Sequence, residues 1–293
     1  MSFVLGIDGG GTSCRAAVAG PDGVIVGRGA SGSANIRTDL SGARASIVNA
    51  AELALSDAGL APEMLSQCSA VLGLAGANVG TYASQVEAIL PFAASKVVSD
   101  ALIALEGAVG SGDGAIAILG TGTAYMSRKS GVVRAIGGWG FVIGDQGSGA
   151  RIGRDLLEET LLAHDGVVPA SPLTNAVLAI YRNDPRDVVE FTTSAKPGDF
   201  GGFAPLVFDH AAKGDETALR IIERARQSIE ASLGALDPAP ETPLCLLGGL
   251  AQMFAPRLSP RYQVSLRPPL QDALGGAVSM AARMLMQKGS GDD

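Results

Sequence analysis

Three consecutive glycines directly follow an aspartate near the start of the chain, in the segment GIDGGGTSCRAAVAG (residues 6–20). Glycine loses more conformational freedom on folding than any other residue, so such a run is favoured where bare backbone must closely approach another group. The preceding residues FVLGI predict a short buried strand, and the following residues predict two extended segments around the turn PDG (21–23). The chain is therefore predicted to begin with a strand, a glycine loop and a hairpin.

The same order of elements recurs near residue 115. The stretch AIAILGTGTAYMSRKSGVVRAIGG predicts an apolar strand, a loop of glycine and threonine, and a second hairpin that turns at KSG. The repeat is one of architecture more than of letters, because few residues match between the two copies. It indicates that a second domain begins close to this point.

Apolar spacing elsewhere predicts helices that alternate with buried strands. Helices are predicted near 42–58, 82–90, 149–164, 173–182, 203–236 and 274–287. Strands are predicted at 70–77 and 96–100, and PLCLLGGLA (243–251) predicts a strand, a glycine turn and the start of a helix. This alternation is typical of a mostly parallel sheet covered by helices, and 293 residues suit two such domains with a cleft between them.

Composition excludes several classes of protein. Although 47% of the residues are hydrophobic, no apolar run approaches the roughly 18 residues of a membrane span. The start MSFVLGIDGGG lacks the basic region and the long apolar stretch of a secretory signal, so we expect a cytoplasmic protein. The net charge of −7 gives no electrostatic footprint for nucleic acid.

Cysteine and histidine are too sparse for several kinds of site. Cys14, Cys68 and Cys245 are far apart and form no CxxC pair, which argues against a disulfide framework or a thiolate metal site. The only histidines, His164 and His210, cannot form an HExxH zinc site. A general base in this chain is therefore expected to be a carboxylate.

Three glycine-rich turns each follow a predicted strand: GIDGGGTSC, ILGTGTA and LLGGLA. Backbone N–H groups in such turns bind anions, and the hydroxyls of Thr12, Ser13, Thr121 and Thr123 can add donors, so phosphate is the expected ligand. A single loop of this kind could be only a tight turn, but three after three strands favour binding. The first loop lacks the spacing of the Rossmann fingerprint and is followed by a hairpin, and no Walker A motif occurs.

Two aspartates stand where predicted strands end. Asp8 precedes the three glycines and could hold Mg²⁺ through water beside phosphates, or simply initiate a turn. Asp100 precedes ALIALEGA, which predicts a helix, so it could cap that helix, act in catalysis, or do both. The carboxyl edge of a parallel sheet is where α/β proteins bind ligands, which favours a functional role for both residues.

The segment GGWGFVIGDQGSGA (137–150) joins the only tryptophan to six glycines and Asp145. An isolated Trp139 is usually a core residue, but its glycine neighbours are not typical of a core strand. Sugars are recognised by carboxylates and amides on their hydroxyls with an aromatic group against the ring, so a sugar-binding loop is plausible. Asn35, in the polar turn SGSAN (31–35), supplies a further amide or is ordinary loop chemistry.

Taken together, these motifs resemble a known family. GIDGGGTSCRA, SGSANI, SDA, GTGT, GGWG, GDQGSGA and LLGGLA, in this order, are similar to motifs of the sugar kinase, Hsp70 and actin superfamily. Within it the chain resembles the BadF/BadG/BcrA/BcrD-type ATPases, and among them the amino-sugar kinases that act on glucosamine and N-acetylglucosamine. The motifs span nearly the whole chain, and only their combination is specific.

The resemblance implies a fold, a reaction and a set of residues. It implies two ribonuclease H-like, actin-like ATPase domains flanking a cleft for ATP and sugar: residues 1–112 with a C-terminal helix 278–293, and residues 113–277. Asp100 would accept the proton of the 6-hydroxyl, and Asp8 would lie near Mg²⁺. Phosphates and adenosine would contact Gly10, Gly11, Thr12, Ser13, Gly120, Thr121, Gly122, Thr123, Gly248 and Gly249. The sugar would contact Asn35, Asp100, Gly138, Trp139, Gly140 and Asp145.

Other functions stay open at this point. Members of the wider family activate dehydratases or reductases and hold an iron–sulfur cluster between two subunits through paired cysteines, which the spacing here puts in doubt. An ATPase that switches a partner protein is the main alternative. A related sugar-responsive repressor would need a DNA-binding extension, and a hydrolase would need a G-x-S-x-G elbow; neither is found. The resemblance also implies a homodimer.

Overall fold

The structure is a computed structural model that describes residues 2–78, 80–238 and 241–289. The chain forms two compact units. The first comprises residues up to Gly112 together with those from Pro268 onwards, and the second comprises Asp113–Arg267. Each unit is built around its own mixed sheet, so the fold is α/β.

The first unit holds a five-stranded sheet in the order β3-β2-β1-β4-β5. Its strands are β1 Val4–Gly9, β2 Cys14–Ala19, β3 Ile25–Ser31, β4 Ser69–Leu74 and β5 Ala94–Ser99. Its first helices are α1 Leu40–Asp57, α2 Tyr82–Glu87 and α3 Asp100–Val109. The predicted hairpin makes β2 antiparallel to β1 and β3, while β1, β4 and β5 run parallel. The sheet is therefore mixed and not mostly parallel, because the hairpin contributes two antiparallel strands.

The second unit repeats this topology with one strand fewer. Its strands are β6 Gly114–Leu119, β7 Thr123–Lys129, β8 Val132–Gly137 and β9 Leu244–Leu247. Their order is β8-β7-β6-β9, with antiparallel pairs in the hairpin and β9 parallel to β6. A single parallel bridge between Leu244 and Leu266 occupies the position that the fifth strand holds in the first unit. The arrangement of strands in both units is that of a ribonuclease H-like fold, as the family resemblance implies.

Helices of the second unit lie mostly between β8 and β9. They are α4 Gly149–His164, α5 Pro172–Ile180, α6 Pro185–Ser194, α7 Pro197–Gly201, α8 Ala204–Ala212, α9 Glu216–Leu236, α10 Ala251–Phe254 and α11 Pro260–Gln263. The prediction of one helix over 203–236 is wrong. Gly214 has a φ of +82°, which ends α8, and the Asp215 side chain caps α9 by accepting from Ala218 N at 3.0 Å.

The chain then returns to the first unit as α12 (Ala273–Gly289), which packs on β1 and α3. In the structure this returning segment begins at Pro268 and not at 278, because Leu270 N and Gln271 N donate to the carbonyls of Ala108 and Gly107. Hydrophobic residues cover both faces of the first sheet, and a separate core fills the second unit. Within the described part of the chain, no helix is both long and apolar enough to cross a membrane.

Candidate functional site

The first glycine loop connects β1 to β2 and is held by backbone hydrogen bonds. Gly10 N donates to Ser13 O at 2.9 Å, which closes the loop, and Ala34 N donates to Gly10 O at 2.9 Å. Residues 11–13 are exposed. A Cβ built on Gly11 would lie 4.0 Å from Asn35 Nδ2, so the predicted sugar-contacting amide stands directly beside the predicted phosphate loop. Asn35 Oδ1 accepts from Arg37 N, which leaves the amide nitrogen to face the loop.

Arg15 is a residue that the sequence reasoning missed. It lies directly across the β1–β2 pair from Asp8, and its Nη2 is 2.6 Å from Asp8 Oδ2. Its Nη1 is 3.1 Å from Asp272 Oδ2, just before α12. Asp8 lies as far before the first glycine loop as Arg15 lies after it, so antiparallel pairing of β1 and β2 makes the two residues cross-strand neighbours. This spacing is the signal that could have found Arg15. Arg15 thus fixes the orientation of the Asp8 carboxylate.

Asp100 begins α3 but does not cap it. Ser99 is the N-cap, since its hydroxyl accepts from Leu102 N at 3.2 Å. The Asp100 carboxylate accepts a hydrogen bond from the adjacent Ala101 N at 2.8 Å. By surface area the residue is exposed, yet enough protein surrounds the carboxyl that desolvation raises its pKa, and the negative charge of Asp8 raises it further. The alternative that Asp100 serves as the helix cap is therefore wrong.

The two carboxylates suit a magnesium ion that is shared with phosphate. Among the described residues, no three histidine, cysteine or acidic side chains gather as a complete ligand set. Mg²⁺ does not need one, because it keeps several waters and is usually bound by one or two carboxylates plus substrate phosphates. Asp8, held by Arg15 next to the glycine loop and close enough to Asp100 to raise its pKa, fits that pattern.

In the second unit, two glycine loops meet at one edge of the sheet. Gly120 N donates to Gly122 O at 3.0 Å, and Gly149 N, at the start of α4, donates to Gly120 O at 2.8 Å. Gly248 follows the neighbouring strand with a φ of +89°, and a Cβ there would come 2.4 Å from Leu119 O. Only glycine fits at position 248, because a Cβ there would overlap the backbone of Leu119 at the end of β6. The predicted nucleotide loops that follow β6 and β9 therefore lie side by side, next to the N-terminus of α4.

Asp145 supports the glycine loop of the second unit. It is 9% exposed and has a φ of +57°. A Cβ on Gly122 would lie 2.8 Å from Asp145 Oδ2. Burial raises the pKa of Asp145, while backbone hydrogen bonds from Thr123 and Gly140 lower it. The side chain predicted to contact the sugar therefore also packs against the predicted phosphate loop.

Trp139 lies in an exposed apolar loop before Asp145. Its side chain is 76% exposed, and Val142 and Ile143 are 85% and 78% exposed. Gly138 N donates to Thr123 O, which anchors the loop to the start of β7. The alternative that Trp139 belongs to the core is wrong, because glycines on both sides let the chain leave the sheet.

All three cysteines are buried. Cys14 and Cys68 have no exposed surface, and Cys245 is 1% exposed. Burial raises the pKa of each thiol, that of Cys14 to about 12 with a further contribution from the charge of Asp8. Thiols buried in the cores of the units cannot face a partner subunit, which argues against an iron–sulfur cluster held between two subunits.

A model of the BadF/BadG/BcrA/BcrD ATPase family matches residues 5–260. The chain belongs to this family. The chain is 37% identical over 284 residues to the glucosamine kinase GspK of Vibrio cholerae, covering 97% of both proteins. It is 28% identical over 245 residues to an N-acetylmuramic acid/N-acetylglucosamine kinase of Clostridium acetobutylicum, covering 80% of this chain and 79% of that one.

A crystal structure from Chromobacterium violaceum, of a protein provisionally described as an N-acetylglucosamine kinase, superposes with a TM-score of 0.86 at 32% identity. The match covers 96% of this chain and 99% of that one. The family implies ATP as a ligand, and these relatives support an ATP-dependent sugar kinase.

Proposed function

We propose that this chain is an ATP-dependent amino-sugar kinase that transfers the γ-phosphoryl group of ATP to the 6-hydroxyl of glucosamine or N-acetylglucosamine. The observation that carries the proposal is the Asp100 carboxylate. Because Ser99 caps α3, the Asp100 carboxylate does not serve as the cap. The pKa of Asp100 is raised, and the residue lies near Asp8 at the carboxyl edge of the first sheet. A carboxylate in that state suits a general base.

In the proposed reaction, the sugar hydroxyl oxygen attacks the γ-phosphorus and its proton passes to the Asp100 carboxylate. The bond between the γ-phosphorus and the bridging oxygen breaks, and ADP leaves with the electron pair. A raised pKa makes the Asp100 carboxylate a stronger base. When bound, Mg²⁺ neutralises charge on the phosphate oxygens, and Asp8 would hold it through water.

The glycine loops would provide most of the remaining stabilisation. Phosphoryl transfer depends mainly on positioning and on charge stabilisation, which backbone N–H groups supply without having to reorganise. We assign the base, the metal carboxylate and residues 10–13 to the first unit. We assign residues 120–123 and the adenosine contacts Gly248 and Gly249 to the second unit. The exposure of residues 11–13, Thr121, Gly248 and Gly249 and the glycine-only position of Gly248 support the assignment. Thr123 is buried and its hydroxyl donates to Gln146 O, so its part in phosphate binding lacks this support.

The sugar contacts are a further part of the proposal. Trp139 has an exposed ring suited to stacking on a sugar face, Gly138 and Gly140 flank it, and Asn35 offers an amide beside the first loop. Glucosamine and N-acetylglucosamine both stay open as substrates, since relatives named for each sugar are found. The proposal includes a cytoplasmic location, supported by three cysteines that form no disulfide, and a homodimer, which sedimentation would test.

Replacing the base tests the proposal. We expect Asp100→Asn to lower turnover of the sugar about 100- to 10,000-fold, because it removes the proton acceptor, while the affinity for ATP stays near that of the wild type. A coupled assay of ADP release measures turnover, and calorimetry measures ATP binding.

The matched control is Glu52→Gln, which neutralises an exposed carboxylate on α1 of the same unit. It should leave both quantities unchanged. Turnover of Asp100→Asn equal to that of the control would refute the role of Asp100, and turnover of neither sugar by the wild type would refute the substrate class.

A further inference from the structure

A polar cavity lies within the second unit, and its lining does not include residues 120–123 or 248–249 of the glycine loops. It has a volume of about 510 Å³ and is formed by the turn before α4, one face of α4 and one face of α9. Its polar lining residues are Gln146, Arg151, Asp155, Arg224, Gln227 and Ser228. Its volume is within the range of about 300–1,000 Å³ found for small-molecule sites. Neither the fold nor the proposed reaction requires it.

Two opposite charges in this cavity are not paired with each other. Arg151 and Asp155 are four residues apart on α4 and half-buried, a spacing at which ion pairs commonly form. Across the described ranges, no hydrogen bond or ion pair involves either side chain. One turn later on α4, the Glu159 carboxylate forms ion pairs with both Arg220 and Arg224, in contrast to the carboxylate of Asp155.

The environment of Asp155 also indicates that a bound cation would stabilise its carboxylate. Burial raises the pKa of Asp155, although the positive charges of Arg224 and Arg151 act against it. A carboxylate in this position would be stabilised by a ligand ammonium group. The guanidinium of Arg151, in turn, is free to bind an anion.

We propose that this cavity binds a phosphorylated amino sugar, the product class of the reaction. Guanidinium groups bind phosphate through paired hydrogen bonds, which assigns the phosphate to Arg151. Arg224 already pairs with Glu159 and would add only its positive charge. Asp155 would take the ammonium, and the two glutamines with Ser228 would take the hydroxyls. A neutral sugar would leave Arg151 unused, and inorganic phosphate would leave Asp155 without a cation.

The inference rests on the proposed function for the identity of the ligand, and calorimetry tests it separately. The enzyme is first saturated with glucosamine and a non-hydrolysable ATP analogue, and glucosamine 6-phosphate is then titrated in. We expect one further molecule to bind, and Asp155→Asn and Arg151→Gln each to weaken this binding about tenfold or more, since each removes a charge-assisted contact. N-acetylglucosamine 6-phosphate and inorganic phosphate should bind more weakly.

Helix α4 offers a charge-matched control. Arg154 and Glu158 are also four residues apart, but both are exposed and neither lines the cavity. Arg154→Gln and Glu158→Gln should therefore bind glucosamine 6-phosphate as the wild type does. Absence of binding to the saturated enzyme, or equal binding by Asp155→Asn and Glu158→Gln, would overturn the inference. Failure of the wild type to phosphorylate either sugar would instead refute the proposed function, while the binding result still decides whether the cavity is a site.

Discussion

At the scale of single residues, the candidate site depends on neighbours that free or orient its carboxylates. Ser99 caps α3, so Asp100 beside it need not. Arg15 pairs with Asp8, so that carboxylate is held in place before any ligand arrives. Both aspartates could be singled out from the sequence because they stand where strands end. Ser99 could not be singled out as the cap, because that depends on the residue at which the strand ends. Arg15 could have been, because it lies as far after the first glycine loop as Asp8 lies before it.

The raised pKa of Asp100 predicts the pH dependence of activity. A general base works only when deprotonated, so kcat/KM should rise with pH through the raised pKa of Asp100 and then level off. Removing the charge of Asp8 takes away one cause of the rise, and Asp8→Asn should move this acid limb to lower pH even though it also slows the reaction.

The measurement is the profile of kcat/KM between about pH 4 and pH 9 for both proteins. An acid limb at the same pH in the wild type and the variant would show that Asp8 does not influence the catalytic base.

At the scale of elements, the strands and hairpins could be predicted and several helices could not. Alternating and continuous apolar runs gave the strands of both sheets, and the turns PDG and KSG gave both hairpins. The break near Gly214 was missed because the apolar stripe continues across it. Helices α6 and α7 were missed because they are short and largely polar, and their start is set by prolines and caps.

The contact between α3 and α12 predicts a sensitive glycine. A Cβ on Gly276 would lie 2.1 Å from Ile103 O and 2.4 Å from Gly107 N, so the two helices meet backbone to backbone. Gly276→Ala should lower the free energy of unfolding by about 1–3 kcal/mol through overpacking.

Denaturant unfolding would measure the effect, with Gly112→Ala as the control because a Cβ there meets nothing within 4 Å. Equal stabilities of the two variants would show that α3 and α12 are not packed as closely as described.

At the scale of the whole molecule, one topology is used twice for two tasks. The first unit presents the two aspartates that we propose as base and metal carboxylate, and the second presents two glycine loops at one sheet edge. The recurrence of strand, glycine loop and hairpin predicted this duplication. The family resemblance implied that the C-terminal helix joins the first domain, and the glycines around Trp139 argued against a core position. The start of the returning segment at Pro268 could not be predicted, because it depends on hydrogen bonds between distant residues.

The most direct test of the account is whether release of ADP from Mg-ATP requires an amino sugar. We predict that the wild-type protein releases ADP rapidly only when glucosamine or N-acetylglucosamine is present, and that a phosphorylated sugar forms in equal amount. Hydrolysis of ATP at the same rate with and without sugar, and no phosphorylated sugar, would contradict the account and favour an ATPase that acts on a partner protein.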